Sequence, residues 1–387
     1  MTSDPLRAYE RAFAESVGTA HAVSFWKGRV ALYAILKALG VGPGDEVAVT
    51  GYTCVMAVNP ILYLGARPVY IDIEPETFNM DAASLRERIS ERTRLVIVQH
   101  TYGYPADLDA LTKAAAERNL SIVEDCCLAL GSRYRGRPVG TFGAAAYWSS
   151  QWSKSYTTGL GGMATTGDPM LAQRIRGVWE EASEAGGAAV VMLRMQLAAY
   201  RMLVFPRTTS LAQRIFRWLT RAGLVIGSST TEEFSPVMPE GFLRRMSRFQ
   251  AKVGLRQLDR FERSADHRRR LKRFYDERLA EAGWRVPGIR PECDPVLVRY
   301  PVRVRDKAAA LQAAARSGVE LGSWFESPLH PIQTPLEAFG YVEGCCPEAE
   351  RAARETVNLP LHPRVSEAAA RRSVELVCRI GPPDDSR

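Results

Sequence analysis

The chain has 387 residues, of which 46% are hydrophobic and 24% charged, a composition typical of a soluble globular protein. This length allows one large domain and a smaller one. The net charge of +8 is compatible with nucleic-acid binding, but no recognisable DNA- or RNA-binding motif accompanies it. We therefore expect no nucleic-acid partner and assign the surplus positive charge to a cleft for anionic small molecules.

Cysteine and histidine usage points away from disulfides and metals. The seven cysteines show no Cys-x-x-Cys spacing, and the five histidines show no zinc-ligand spacing, so we expect no metal site. No apolar run reaches the length of a membrane span, and no signal peptide is apparent. Free thiols in a reducing cytoplasm are the simplest interpretation.

Apolar strand-like runs alternate with amphipathic helical stretches in the first part of the chain. The predicted strands are 46–50, 68–73, 94–99, 121–125, 144–149 and 162–166. The predicted helices are 28–39, 54–64, 81–91, 107–118 and 168–182. This alternation predicts an α/β protein with a mostly parallel, doubly wound sheet in a large domain over residues 1–240.

The C-terminal part is predicted to contain connecting helices and a smaller α+β domain. Residues 241–282 indicate one or two long helices, and the basic residues of 244–273 indicate a solvated helix face. Within 283–380 we predict a strand at 296–304, a helix at 306–317, a strand at 319–325 and a helix at 366–379. The tail 381–387 is predicted to be disordered.

Residues 183–235 interrupt this organisation with a basic, apolar stretch. Residues 188–227 contain six arginines and no acid, among many apolar residues. One interpretation is a helical insertion packed on the protein itself or on a second subunit. The other is a peripheral membrane contact, because basic amphipathic helices of this kind lie in membrane interfaces.

Two side chains follow neighbouring predicted strands at the edge where ligands bind. Asp125 ends the strand 121–125, and Lys154 lies in the loop after the strand 144–149. In an open α/β sheet, ligands bind beyond the carboxyl ends of the strands. An amine and a carboxylate at that edge suit pyridoxal phosphate (PLP), since the lysine can form a Schiff base with its aldehyde and the carboxylate can keep the pyridine nitrogen protonated.

An ordered series of motifs supports this interpretation. Its members are Asp45-Glu46-Val47, Gly65–Ile73, His100–Asp109, Glu124-Asp125, Gly136–Gly140, Thr157–Gly162, Gly241–Ser247, Gln250–Leu258, Pro328-Leu329-His330 and Asn358–Pro363. Together they resemble the DegT/DnrJ/EryC1/StrS family, which are PLP-dependent sugar aminotransferases of fold type I. The resemblance covers roughly residues 6–178 and 241–377.

The resemblance implies a role for each residue that matches a family position. Lys154 matches the Schiff-base lysine, which also moves the proton between substrate and cofactor. Asp125 matches the partner of the pyridine nitrogen, and Ser149 matches a serine that reaches the phosphate. Gly28 and Arg29 stand at the helix N-terminus that forms the phosphate cup. Cys54 falls where the family often places an aromatic residue that stacks on the ring.

Other positions bear on the substrate. Four residues are candidate substrate contacts: Gln151, Arg245, Trp324 and His330. Four positions depart from the family pattern: Cys54, Leu128, Leu160 and Leu243. The cofactor chemistry is therefore better defined by the sequence than the substrate.

The resemblance implies an aminotransferase that takes an amino group from glutamate or glutamine and passes it to a nucleotide-linked keto-deoxysugar. Fold-type-I enzymes place their active sites between subunits, so we expect a homodimer. Three alternatives stay open: a PLP-dependent sugar dehydratase, an aminotransferase acting on a lipid-linked or membrane-embedded ketone, and a non-catalytic PLP-binding regulatory protein. Lys154 argues against the dehydratase, because that group usually has His there.

Overall fold

A computed structural model describes residues 4–203, 227, 232–288, 290–332 and 335–383. Its strands are β1 (His21–Phe25), β2 (Glu46–Thr50), β3 (Thr53–Cys54), β4 (Arg67–Ile71), β5 (Thr93–Gln99), β6 (Ser121–Asp125), β7 (Arg133–Tyr134), β8 (Arg137–Pro138), β9 (Ala145–Ser149), β10 (Gly162–Thr166), β11 (Cys293–Asp294), β12 (Arg299–Arg303), β13 (Leu329–His330) and β14 (Thr356–Pro360). Its helices are α1 (Pro5–Val17), α2 (Gly28–Ala38), α3 (Val55–Tyr63), α4 (Ala82–Arg88), α5 (Leu108–Ala116), α6 (Pro169–Glu181), α7 (Gly187–Leu203), α8 (Arg248–Leu258), α9 (Phe261–Glu281), α10 (Lys307–Ser317), α11 (Pro347–Glu355) and α12 (Glu367–Ile380).

Seven strands form the central sheet in the order β1-β10-β9-β6-β5-β2-β4. Strands β9, β6, β5, β2 and β4 pair in parallel, whereas β10 runs antiparallel to both of its neighbours. The predicted mostly parallel α/β sheet is therefore confirmed. Strand β2 is buried throughout and β5 is buried except at Arg94, as expected for parallel strands covered on both faces.

Aspartate caps explain where several predicted helices begin. Asp81, Asp107 and Asp168 each accept a hydrogen bond from a backbone N–H in the first turn of α4, α5 and α6. Helix α4 ends at Arg88, three residues before its predicted end, because Ile89 is extended. The strand β1 was not among the predicted strands.

The long helical region is two helices, α8 and α9, and α8 begins with a capping box formed by Ser247 and Gln250. The basic face of this region is only partly solvated. Arg268 and Lys272 of α9 are buried, so the prediction of a solvated face is wrong for these two residues. Arg268 donates to the carbonyls of Leu297, Val298 and Ser155, and Lys272 pairs with Asp276, so both side chains are used in packing rather than solvated.

The C-terminal region contains the antiparallel pair β12–β14, with α10 and α12 packed against β14. The predicted strand at 319–325 is wrong. Only Gly322 makes an isolated bridge, to Asn358. After Gly322 the main chain bonds to side chains instead of to a neighbouring strand. The Trp324 N–H donates to Asn358 Oδ1, and the Trp324 C=O accepts from the Tyr102 hydroxyl.

The described part of the 183–235 insertion contains helix α7 and a short 3-10 turn at Glu232–Phe234. Helix α7 buries Leu193 and Leu197 and exposes Val191, Met195 and Met202. Residues 204–226 and 228–231 lie outside the described residues. Among the helices that the structure describes, none is long and apolar enough to cross a membrane.

The predicted disordered tail is ordered where it begins. Gly381 N–H donates to Val377 C=O, and Gly381 C=O accepts from Arg305 N–H at 3.0 Å. The prediction is therefore wrong at Gly381, because these two bonds hold the residue at the end of α12. Residues 384–387 lie outside the described residues.

Candidate active site

Asp125 lies at the carboxyl end of β6 and is 7% exposed. Its Oδ1 accepts from Cys127 N–H at 3.0 Å, and its Oδ2 accepts from the Tyr147 hydroxyl at 2.5 Å. Burial and the neighbouring Asp125 charge raise the pKa of Tyr147 far above its usual range. Tyr147 therefore stays a proton donor that orients the carboxylate.

Lys154 lies in the loop between β9 and β10, so the parallel pairing of β6 with β9 brings it to the same sheet edge as Asp125. The charges of Lys154 and Asp125 both act on the pKa of the Cys54 and Cys127 thiols, which burial raises. The predicted amine and carboxylate thus belong to one site. The Lys154 Nζ lies 5.3 Å from the centre of the Trp324 ring.

The N-terminus of α2 reaches the same edge, because β1 runs in the same direction as β9. Gly28 is the first residue of α2 and has no capping side chain in front of it. A Cβ at Gly28 would lie 3.0 Å from Ser149 Cβ, so the two residues are in close contact. Gly162 permits this approach, since a Cβ there would lie 2.3 Å from the Lys27 carbonyl carbon and 2.5 Å from Gly28 N.

The cationic side chains beside the predicted phosphate cup form ion pairs with a carboxylate that the sequence did not indicate. Glu233 pairs with Lys27 Nζ at 2.8 Å and with Arg29 Nη1 at 3.0 Å, and all three side chains are buried. Burial and the Arg29 charge lower the pKa of Lys27 to about 8. Arg29 therefore lies next to the predicted phosphate cup, with Glu233 as its ionic partner.

A segment of the C-terminal region completes the site. Strand β13 pairs in parallel with β3, which places His330 opposite Cys54. The Trp324 and His330 rings lie 6.0 Å apart. The predicted residues Lys154, Cys54, Trp324 and His330 are thus brought together from three separate parts of the chain.

His330 is held as a neutral donor. Burial lowers its pKa to about 4, helped by the charges of Lys307, Arg299 and Lys154 and opposed by the charge of Glu326. Its Nδ1 accepts from Glu326 N–H at 3.3 Å, which leaves the proton on Nε2. His330 can therefore donate a hydrogen bond near Lys154 at neutral pH.

Two predicted substrate contacts have different surroundings. Gln151 is half-buried in the Lys154 loop, and its carbonyl accepts from Lys154 N–H. Arg245 Nε donates to Trp179 C=O at 2.9 Å, Nη2 donates to Glu180 C=O at 2.5 Å, and the guanidinium covers the Trp179 ring. These bonds satisfy carbonyls at the end of α6, so Arg245 has a structural role whether or not it contacts substrate.

Helix α7 covers the loop that carries Lys154. Leu193 is fully buried in one cluster with Leu160 and Trp26, and the Trp152 and Tyr200 rings are 5.5 Å apart. The apolar Leu160 is one of the departures from the family pattern. Its burial against Leu193 shows that this departure and the insertion form one packing unit.

One buried cluster has metal-ligating residue types: His100, Glu124 and Cys126. His100 Nδ1 accepts from Ala106 N–H, so its Nε2–H donates to Glu124 at 3.0 Å. Glu124 also accepts from three backbone N–H groups of the 140–143 turn. These hydrogen bonds account for the carboxylate without a metal ion.

The residues at this edge fit PLP. The cradle between Gly28 and Ser149 leaves little room for a Cβ on the glycine and presents N-terminal amides of α2, as a phosphate requires. Asp125 supplies a buried carboxylate that Tyr147 and the Cys127 N–H hold in place. Lys154 supplies the amine. Together with the fold, these features define a fold-type-I PLP-dependent aminotransferase.

The chain belongs to the DegT/DnrJ/EryC1/StrS aminotransferase family, whose model matches residues 2–378. It is 31% identical to the GDP-perosamine synthase of Caulobacter vibrioides over 376 residues, which cover 96% of this chain and 89% of that protein. It is 33% identical to the L-glutamine:scyllo-inosose aminotransferase of Streptomyces griseus over 311 residues, covering 80% of this chain and 65% of that protein. The crystal structure of DesV from S. venezuelae superposes with a TM-score of 0.76 at 28% identity, covering 97% of this chain and 88% of that one.

Proposed function

We propose that this protein transfers an amino group from glutamate or glutamine to the keto group of a nucleotide-linked keto-deoxysugar. The observation that carries the proposal is the meeting of Lys154, Asp125 and the Gly28–Ser149 cradle at one sheet edge. The similarity to a GDP-perosamine synthase supports a nucleotide-linked acceptor, and the similarity to an L-glutamine-dependent aminotransferase supports the donor.

Each side chain has a distinct task in this reaction. PLP, when bound, supplies a ring that stabilises negative charge on the substrate carbon. Asp125, held by Tyr147, keeps the charge that this ring needs at its nitrogen. Lys154 Nζ takes the proton from the substrate carbon and returns it, as general base and then acid. Neutral His330 and Trp324 close the side of the site that faces the C-terminal region.

The absorbance of the purified protein tests the proposal. A band in the PLP region that bleaches on addition of L-glutamate or L-glutamine would establish the donor half of the reaction. Incubation of the bleached protein with a panel of nucleotide-linked keto-deoxysugars should restore the band with the true acceptor. No restoration by any nucleotide-linked sugar, with restoration by a free ketone, would contradict the acceptor class.

A second candidate acceptor is a lipid-linked or membrane-embedded ketone. The exposed apolar residues Val191, Met195 and Met202 on α7 favour it, because they lie on the helix that covers the Lys154 loop. Liposome sedimentation distinguishes the two acceptors. Replacing these three residues by serine keeps Leu193 in place, so loss of sedimentation in a folded variant would support membrane contact.

We further propose a homodimer in the cytoplasm. All seven cysteines are free thiols, which supports a reducing compartment. Fold-type-I sites lie between subunits, which supports the dimer. Light scattering on the purified protein tests the homodimer, and fractionation of the source cells tests the cytoplasmic location.

A further inference from the structure

A half-buried arginine next to the site has no polar partner among the described residues. Arg299, in β12, places its guanidinium carbon 4.5 Å from the centre of the Trp324 ring. Its Nε is buried without a hydrogen-bond partner, and within the described residues its guanidinium forms neither a hydrogen bond nor an ion pair. A buried guanidinium nitrogen without an acceptor is costly, so Nε calls for a ligand that supplies one.

No carboxylate of the described residues forms an ion pair with Arg299. The Glu320 charge acts on it from a distance, and both oxygens of Glu320 are engaged with His362 Nε2, at 3.0 and 3.2 Å. Arg268 adds a buried positive charge, and its hydrogen-bond acceptors in the described part of the chain are the carbonyls of Leu297, Val298 and Ser155. The Arg299 charge helps to lower the pKa of Arg268 to about 10, mainly a result of burial. The region therefore carries excess positive charge.

Arg299 is also close to the reacting amine. The Lys154 Nζ and the Arg299 guanidinium both lie against the ring of Trp324. Both charges act on His330. Gly322 makes room for the guanidinium, because a Cβ there would lie 2.5 Å from Arg299 Nη1.

We propose that Arg299 binds a carboxylate of the amino-acid donor, with the donor's amino group directed towards Lys154. The proposal rests on the proposed function, since it requires an amino-acid donor. A carboxylate matches the fork of a guanidinium and lies next to the reacting amine of any amino acid. A nucleotide diphosphate is separated from its reacting keto carbon by the sugar ring, so it fits this position less well.

The test uses the PLP-loaded protein and two readouts. Calorimetry measures the affinity for glutarate, a dicarboxylate without an amine, and absorbance measures the rate of bleaching by L-glutamate. In Arg299→Leu we expect glutarate affinity and the second-order bleaching rate to fall about 10- to 100-fold. Arg299→Lys should recover part of both. Arg316→Leu, which changes an exposed arginine on α10, is the matched control and should change neither.

Three outcomes would overturn the proposal: unchanged glutarate binding in folded Arg299→Leu, a loss confined to the sugar half of the reaction, or no glutarate binding by the wild type. Arg299→Gln replaces the leucine variant if that one does not fold. Failure of the proposed function is a separate result, in which the wild type binds glutarate but no amino acid bleaches its absorbance.

Discussion

Truncation of Leu193 tests whether helix α7 is part of the active-site structure. Leu193 is fully buried against Leu160 and Trp26, and its Cδ1 lies 2.7 Å from where a Cβ at Gly159 would stand. A buried Leu→Ala change costs about 2–5 kcal/mol, from lost burial and from the cavity left behind. This cluster has only three fully packed members, so we expect about 3 kcal/mol for Leu193→Ala.

The free energy lost in Leu193→Ala weakens the packing of α7 against the Lys154 loop. Hydrogen exchange should therefore increase in residues 187–203 and in 150–161, with little change in the distant strands β4 and β5. Met195→Ala is the matched control, because Met195 is on the same helix and 64% exposed. It should cost less than about 0.5 kcal/mol. If Leu193→Ala and Met195→Ala gave the same stability and exchange, α7 would not be packed on the site and this reasoning would be refuted.

Three further predictions follow from single contacts. Gly162→Ala should weaken PLP binding about tenfold or more in a fluorescence titration, because the new Cβ would displace the N-terminal backbone of α2. Gly167→Ala is the control and should leave PLP binding unchanged, because the space around Gly167 is open. His330→Gln should flatten the dependence of the unfolding free energy on pH between pH 6.5 and 4. In this window His330 takes up a proton in the unfolded chain but not in the folded one, where its pKa is about 4. The wild type therefore loses up to about 1.4 kcal/mol of stability per pH unit as the pH falls. A wild-type profile with no slope there in urea titrations would contradict it. Arg245→Ala should lower stability by about 1–3 kcal/mol but leave the rate of bleaching by glutamate within twofold, and a large loss of rate would restore Arg245 as a substrate contact.

The sequence predicts the sheet well because its signals are local. Buried apolar runs mark the strands, and aspartates mark the starts of α4, α5 and α6. Asp125 and Lys154 were identified because parallel strands deliver their carboxyl-end residues to one edge. Tyr147 also had a local signal, since alternation along β9 puts it on the same face as Ser149.

The contacts made over long sequence distances were not predictable in this way. Glu233 lies about 200 residues from Lys27 and Arg29, and nothing in its neighbourhood marks it as their partner. The segment around Trp324 resembles a strand in composition, yet tertiary hydrogen bonds from Tyr102 and to Asn358 determine its conformation. Arg299 was overlooked because a lone arginine in a strand carries no sign that it will lie half-buried without a polar partner.

The roles proposed for Asp125, His330 and Arg299 all depend on Lys154 being the residue that binds PLP covalently. Reduction of the PLP-loaded protein with borohydride, followed by peptide mass spectrometry, tests it most directly. We expect the phosphopyridoxyl group on the peptide containing Lys154, and its loss in Lys154→Ala while the protein stays folded. Recovery of the group on another lysine, such as the buried Lys27, or on none, would contradict the account.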